Sequence, residues 1–253
     1  MTRVAFLHTG AVVIAPVIDS ARAALPDAEF VNYLDDRIVA DLGDPERAAS
    51  VRTRVADLVR AAKSGGAEVV MLTCSSISHL AAPVAAEVGI PVLRIDEAMA
   101  DAATAGADRI AVLATLPTTL VPTVALLGER AALAGRSPKI VEEVIEGAFA
   151  AVAGGDRATH DALVAAAIER HAATVDVVVL AQASMASAAG AARTAVPVLT
   201  SIAPGIERLA GLVGGGGDAS AAVTGEHPGE SGARSQQTAA ADAGADETTE
   251  GSR

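Results

Sequence analysis

Residues 68–77 read EVVMLTCSSI, and residues 176–185 read DVVVLAQASM, 108 positions further along the chain. Each stretch has an acidic residue, four apolar residues and then small or polar residues. This pattern is typical of a strand that is buried on both faces of a parallel sheet and is followed by the start of a helix.

The chain repeats itself on both sides of this stretch. RVAFLHT (3–9) corresponds to RIAVLAT (109–115), and IPVL (90–93) corresponds to VPVL (196–199), both at an offset of 106. Chance resemblance between the strands of any α/β protein could explain one such pair. Three pairs in the same order at a nearly constant spacing favour an internal duplication.

Eight short apolar runs alternate with alanine-rich segments of helical character. Asp44-Pro45-Glu46 predicts a helix start and Gly65-Gly66 its end. A second helix is predicted from about Asp156 to Ala173. The predicted strands are Val4–Leu7, Phe30–Tyr33, Val69–Leu72, Val92–Ile95, Ile110–Leu113, Ile140–Ile145, Val177–Leu180 and Val196–Leu199. The sequence therefore predicts an α/β fold of two pseudo-symmetric parallel-sheet lobes with a cleft between them.

The predicted division follows the repeat. Residues 1–98 form the first lobe, to which a helix at 203–213 returns, and residues 99–202 form the second. Residues 214–253 contain no Leu, Ile or aromatic residue and are rich in Ala, Gly, Ser, Thr and acids. Such a composition predicts a disordered acidic tail, which would either keep the protein soluble or bind a partner.

Composition excludes several classes of function. The 253 residues carry a net charge of −12 and only 2% aromatic residues, which argues against nucleic-acid binding. The single cysteine, Cys74, excludes a disulfide framework, and no spacing predicts a metal site. A signal-peptide pattern is absent, and Ile110–Gly128 contains two prolines and four threonines, so we expect a cytoplasmic protein that does not span a membrane.

Candidate site residues follow the predicted strands, because ligands of open α/β sheets bind beyond the carboxyl ends of the strands. Hydroxyl groups and backbone N–H groups at helix starts suit a small carboxylate. For a single Ser or Thr, an ordinary helix cap is the competing interpretation. The candidates are His8, Thr9, Cys74, Ser75, Ser76, Thr115, Thr118, Thr119, Gln182, Ala183 and Ser184.

The titratable candidates each leave two interpretations open. Cys74 is either a packing residue or, since a helix start favours the thiolate, an acid/base or nucleophile. His8 either titrates near neutral pH or fills a polar loop. His160 and His171 are eleven residues apart and are predicted to be solvated positions of one helix. Neither lysine, Lys63 nor Lys139, follows a strand, which argues against pyridoxal phosphate.

Residues 3–212 resemble the aspartate/glutamate racemase superfamily. The resemblance rests on the duplicated layout, on Thr-Cys-Ser-Ser (73–76), on Ala-Thr-Leu-Pro-Thr-Thr (114–119) and on Leu-Ala-Gln-Ala-Ser-Met (180–185). It implies a cofactor-independent enzyme in which two cysteines exchange a proton at the carbon next to a carboxylate. Cys74 corresponds to the first of these cysteines. The polar groups of Ser75, Ser76, Thr115, Thr118 and Thr119 correspond to carboxylate binders.

The second cysteine of the family corresponds to Gln182, which cannot exchange protons. Either another group such as His8 supplies the second acid/base, or one thiol acts alone as in a decarboxylase or lyase, or Cys74 is a nucleophile as in a maleate-type isomerase. Gln182 would then hydrogen-bond the substrate or an oxyanion. We expect a racemase or isomerase acting on a small amino or hydroxy acid. The alternatives are a one-thiol decarboxylase or lyase and a carboxylate-binding protein without turnover. A homo-oligomer is compatible with all three.

Overall fold

The computed structural model describes residues 1–215, and these form two four-stranded parallel sheets. The strands are β1 (Arg3–His8), β2 (Glu29–Leu34), β3 (Val69–Leu72), β4 (Val92–Arg94), β5 (Arg109–Ala114), β6 (Lys139–Val144), β7 (Val177–Leu180) and β8 (Val198–Leu199). The strand orders are β2-β1-β3-β4 and β6-β5-β7-β8. The eight predicted strands and the duplicated α/β architecture are confirmed.

Residues 1–215 contain ten α-helices, of which nine lie between strands and the last follows β8. They are α1 (Ile14–Ala24), α2 (Ile38–Leu42), α3 (Pro45–Ser64), α4 (Ala81–Val88), α5 (Glu97–Gly106), α6 (Pro117–Leu133), α7 (Ala148–Ala153), α8 (Arg157–Ala172), α9 (Ala186–Ala189) and α10 (Ile202–Gly214). Short 3-10 segments cover Ala11–Val13, Ser75–Leu80 and Ala183–Met185. Within this part of the chain, no helix is long and apolar enough to cross a membrane.

The two predicted helix starts are built as their sequences indicate. Asp44 Oδ1 accepts a hydrogen bond of 2.9 Å from the backbone N–H of Glu46, and Pro45 occupies the first helical position of α3. Asp156 Oδ1 accepts one of 3.0 Å from Thr159 N–H at the start of α8. Each cap satisfies a backbone donor that the helix itself leaves unpaired.

Each sheet is covered by helices on both faces. In β1, Ala5 and Leu7 pack toward α3 and α4, whereas Val4 and Phe6 pack toward α1 and α10. The alternation follows the two-residue repeat of a strand. The second sheet is enclosed in the same way, by α5 and α6 on one face and by α7, α8 and α9 on the other.

The last helix, α10, closes the apolar face of the first sheet. Ile202, Ile206 and Leu209 are buried against the cluster that contains Phe6 and Met71. The helix ends one residue later than predicted, because Gly214 completes its last turn. Residues 216–253, which make up nearly all of the predicted disordered tail, lie outside the described residues.

Candidate active site

A cavity of about 660 Å³ lies where the carboxyl ends of the two sheets face each other. That volume is in the usual range for small-molecule sites. Nine of the eleven predicted site residues line it: Thr9, Cys74, Ser75, Ser76, Thr118, Thr119, Gln182, Ala183 and Ser184. The duplication therefore brings residues from four strand ends to one space.

Cys74 follows β3 and is half-buried in the cavity wall. Its extended backbone, with φ −128° and ψ 122°, precedes the 3-10 segment Ser75–Leu80. The residues after it connect the two halves of the molecule, since Ser75 Oγ donates to the backbone oxygen of Ala181 at 3.1 Å. Ser76 Oγ lies 3.3 Å from Thr119 Oγ1. These hydrogen bonds place Cys74 at the boundary between the two lobes.

Gln182 follows β7 at the position that matches Cys74, and it also lines the cavity. Its Oε1 atom accepts hydrogen bonds from the backbone N–H of Thr115 at 2.6 Å and from the Thr115 hydroxyl at 2.9 Å. A backbone N–H can only donate, so the amide oxygen must face Thr115. The Nε2 amide group is therefore the end of the side chain that is left to donate to a ligand.

The start of α6 supplies further donors. Thr118 lines the cavity, and its Oγ1 atom is buried without a hydrogen-bond partner among residues 1–215. A buried hydroxyl without a partner is costly, and an acceptor on a bound ligand would satisfy it. The positive end of the α6 dipole favours an anion at the same place.

The structure does not bring His8 or Thr115 to the cavity surface. His8 is the last residue of β1 and is fully buried. Its Nδ1 lies 2.9 Å from Thr73 Oγ1 and its Nε2 lies 2.8 Å from Asn32 Oδ1. Burial lowers the pKa of His8, partly offset by its hydrogen bond to Asn32, so the neutral ring is favoured. His8 thus holds Thr73, the neighbour of Cys74, and does not face a ligand itself.

The prediction that His160 is solvated is wrong. His160 is fully buried on α8, with Nδ1 2.7 Å from Asp161 Oδ1, because its helix face packs on the second sheet. His171 is half-buried and bonds Glu143 at 2.6 Å.

Asp36 is the only charged side chain among the cavity-lining residues of the described chain. Its neighbour Asp35 pairs with Arg54 of α3 at 2.5 Å, and Arg54 also bonds Asp41 at 2.6 Å. This pairing, led by the hydrogen bond from Arg54, lowers the pKa of Asp41. The cluster anchors α2 to α3. Across residues 1–215, no group of three or more His, Cys, Asp or Glu side chains is placed to hold a metal ion.

A sequence model of the Asp/Glu/hydantoin racemase family matches residues 7–209. The chain belongs to this family. It is therefore an enzyme of the racemase superfamily, as its sequence predicts. A comparison with curated proteins gives no match.

Solved structures of this family's fold superimpose on most of the chain. Glutamate racemase from Thermus thermophilus has a TM-score of 0.68 and 19% identity, covering 85% of this chain and 81% of that one. Allantoin racemase from Klebsiella pneumoniae has a TM-score of 0.63 and 19% identity, and the match covers 92% of this chain and 97% of that one. Arylmalonate decarboxylase has a TM-score of 0.56 and 23% identity, and the match covers 85% of this chain and 94% of that one. At these identities, the comparison establishes the shared fold.

Sequence reasoning missed the apolar part of this racemase-family cavity. It is formed by Val12, Val13, Val39, Phe149 and Val152, which we call the apolar wall. Val12 and Val13 follow β1, Val39 belongs to α2, and Phe149 and Val152 belong to α7. The repeat gives a weak signal for this wall, because α2 and α7 occupy equivalent places in the two halves, after β2 and β6.

Proposed function

We propose that the protein catalyses proton transfer at the carbon next to the carboxylate of a small amino or hydroxy acid, without a cofactor. Cys74 is the acid/base. The observation that carries this proposal is its position: apart from Asp36, Cys74 is the only ionisable side chain among the described residues that line the cavity. We place the reaction in the cytoplasm.

The surrounding groups support this chemistry. A substrate carboxylate fits the start of α6, where the Thr118 hydroxyl has no hydrogen-bond partner within residues 1–215. When the Cys74 thiolate removes the α-proton, the electron pair of the C–H bond moves into the carboxylate and forms an enediolate. The Nε2 group of Gln182, oriented by Thr115, can donate to the oxygen on which this charge develops.

A one-thiol decarboxylase is the second candidate, and the replacement of a thiol by Gln182 favours it. Only Cys74 can then deliver a proton from the two matched strand ends. In that reaction the bond between the α-carbon and one carboxylate breaks, and CO2 leaves. The Cys74 thiol then donates its proton to the enediolate from one face.

Deuterium exchange tests the proposal and separates it from these alternatives. A panel of 2-amino, 2-hydroxy and 2-carboxy acids is incubated in deuterated water and followed by proton NMR, with CO2 release measured in parallel. We expect exchange at the α-carbon that falls about 10²- to 10⁴-fold in Cys74→Ala. Cys74→Ser, which keeps the shape but not the acidity, is the matched control and should be equally slow.

Each remaining outcome has a defined meaning. Release of CO2 without exchange of the monocarboxylic acids selects the decarboxylase. Tight binding of carboxylates with neither exchange nor release contradicts both enzymatic proposals and identifies a binding protein. Exchange that persists in Cys74→Ala would exclude the thiol as the acid/base.

A further inference from the structure

The cavity has two chemically different regions. Its polar floor consists of Thr73, Cys74, Ser76, Thr118 and Gln182, all at or just after strand ends. Thr73 and Ser76 are buried, so this region is the deeper one. The apolar wall is more exposed, as Val12 and Phe149 show, and it receives side chains from both halves of the duplication.

Two residues of the apolar wall are exposed. Phe149 is 43% exposed and Val12 is 54% exposed, although both are large hydrophobic residues. By contrast, Phe6 and Phe30 pack on each other with their ring centroids 5.8 Å apart. Exposed apolar surface that is grouped around a cavity commonly marks a place where a ligand binds. Phe149 thus presents a ring to whatever occupies the space above the polar floor.

The charges around the cavity disfavour a negatively charged ligand group at the apolar wall. No lysine or arginine is among its lining residues in the described chain, and the one charged group, Asp36, is itself negative. The nearby guanidinium of Arg54 is already paired with Asp35 and Asp41. A carboxylate next to Phe149 and Val39 would give up part of its hydration without gaining a cation.

We propose that the apolar wall is the subsite for the α-carbon substituent, and that this substituent is an uncharged alkyl or aryl group. The inference rests on the proposed function, because it places the reacting carboxylate on the polar floor. It departs from the substrates in the family's name, since aspartate and glutamate carry a second carboxylate in their side chains. Selectivity arises because the apolar group gains contact with α2 and α7 while a charged one would be desolvated.

Two nearly isosteric pairs of acids test the subsite: leucine against aspartate, and 2-hydroxy-4-methylpentanoate against malate. Binding is measured by calorimetry with Cys74→Ala, and α-deuterium exchange is measured with the unmodified protein. We expect the apolar member of a pair to be preferred about 100-fold. Equal or stronger binding of the acidic members overturns the subsite, and so does failure of all four acids to bind.

The same measurements keep the two proposals apart. Exchange of the acidic members in preference to the apolar ones, lost in Cys74→Ala, overturns the subsite and supports the proposed function. Preferential binding of the apolar members without exchange of any panel acid supports the subsite and contradicts the proposed function.

Variants at Phe149 test the location of the subsite. Because Phe149 is exposed, we expect these variants to fold. Phe149→Ala should weaken binding of the apolar members about tenfold. Phe149→Lys should shift the preference toward the acidic members by about tenfold or more. Leu133→Ala and Leu133→Lys are the matched controls, because Leu133 is 58% exposed at the far end of α6. An equal effect of the Leu133 variants, or no effect of the Phe149 variants, overturns the proposal.

Discussion

The carboxamide oxygen of Gln182 accepts two hydrogen bonds from Thr115, one from the backbone N–H at 2.6 Å and one from the hydroxyl at 2.9 Å. Both residues follow strands of the second sheet, Thr115 after β5 and Gln182 after its neighbour β7. Thr115 therefore acts on the cavity through Gln182 without lining it.

A double-mutant cycle should detect this relationship. Thr115→Val keeps the shape of the side chain but removes the hydroxyl donor, so the Gln182 amide loses one of its two anchors. We expect kcat/KM for the exchanging substrate to fall about five- to tenfold. In a Gln182→Leu background, the same change should have almost no effect, since there is no amide to orient. Additive effects of the two substitutions would contradict the assigned role of Thr115.

Gln182→Cys should restore a second thiol at the matched strand end. With Cys74 alone, we expect α-deuterium to enter faster than optical activity is lost, because proton return from the opposite face has no dedicated acid. With thiols on both strand ends, the ratio of racemisation to exchange should rise toward one. Chiral chromatography and NMR on the same samples measure this ratio. Gln182→Ser is the control. An unchanged ratio in Gln182→Cys would argue that residues 74 and 182 do not face the α-carbon from opposite sides.

The buried ring of His8 predicts a pH dependence of stability. Because burial lowers its pKa, the unfolded chain binds more protons than the folded one between the two pKa values. The contribution of His8 to the free energy of unfolding is therefore fully present above the pKa of the unfolded chain, near 6.5. It is lost as the pH falls below that value toward the lower pKa of the folded state. In urea unfolding between pH 7.5 and 5.5, His8→Gln should show a flatter pH dependence than the unmodified protein. Equal slopes for His8→Gln and the unmodified protein would contradict the argument.

The sequence predicts the sheets and the polar floor well for one physical reason. Fully apolar runs such as Val69–Leu72 leave few alternatives to a strand covered on both faces, and the strand determines where Cys74 lies. The apolar wall is different, because Val39 and Phe149 lie in short helices four or five residues beyond a strand. In sequence they are indistinguishable from core residues. For His160, the apolar face of α8 overrides the preference of an imidazole for water.

The close contact between α10 and the end of β4 makes the strongest prediction about stability. A Cβ atom added at Gly205 would overlap the backbone oxygen of Ile95, so the helix or the strand end would have to move. Gly205→Ala should destabilise the protein by about 1–3 kcal/mol, as overpacking does in other cores. Gly211→Ala, in the same helix, meets no atom within 4 Å and should stabilise by about 0.5–1 kcal/mol through helix propensity. Urea midpoints measure both, and a gain of stability in Gly205→Ala like that expected for Gly211→Ala would show that α10 does not pack on Ile95 as described.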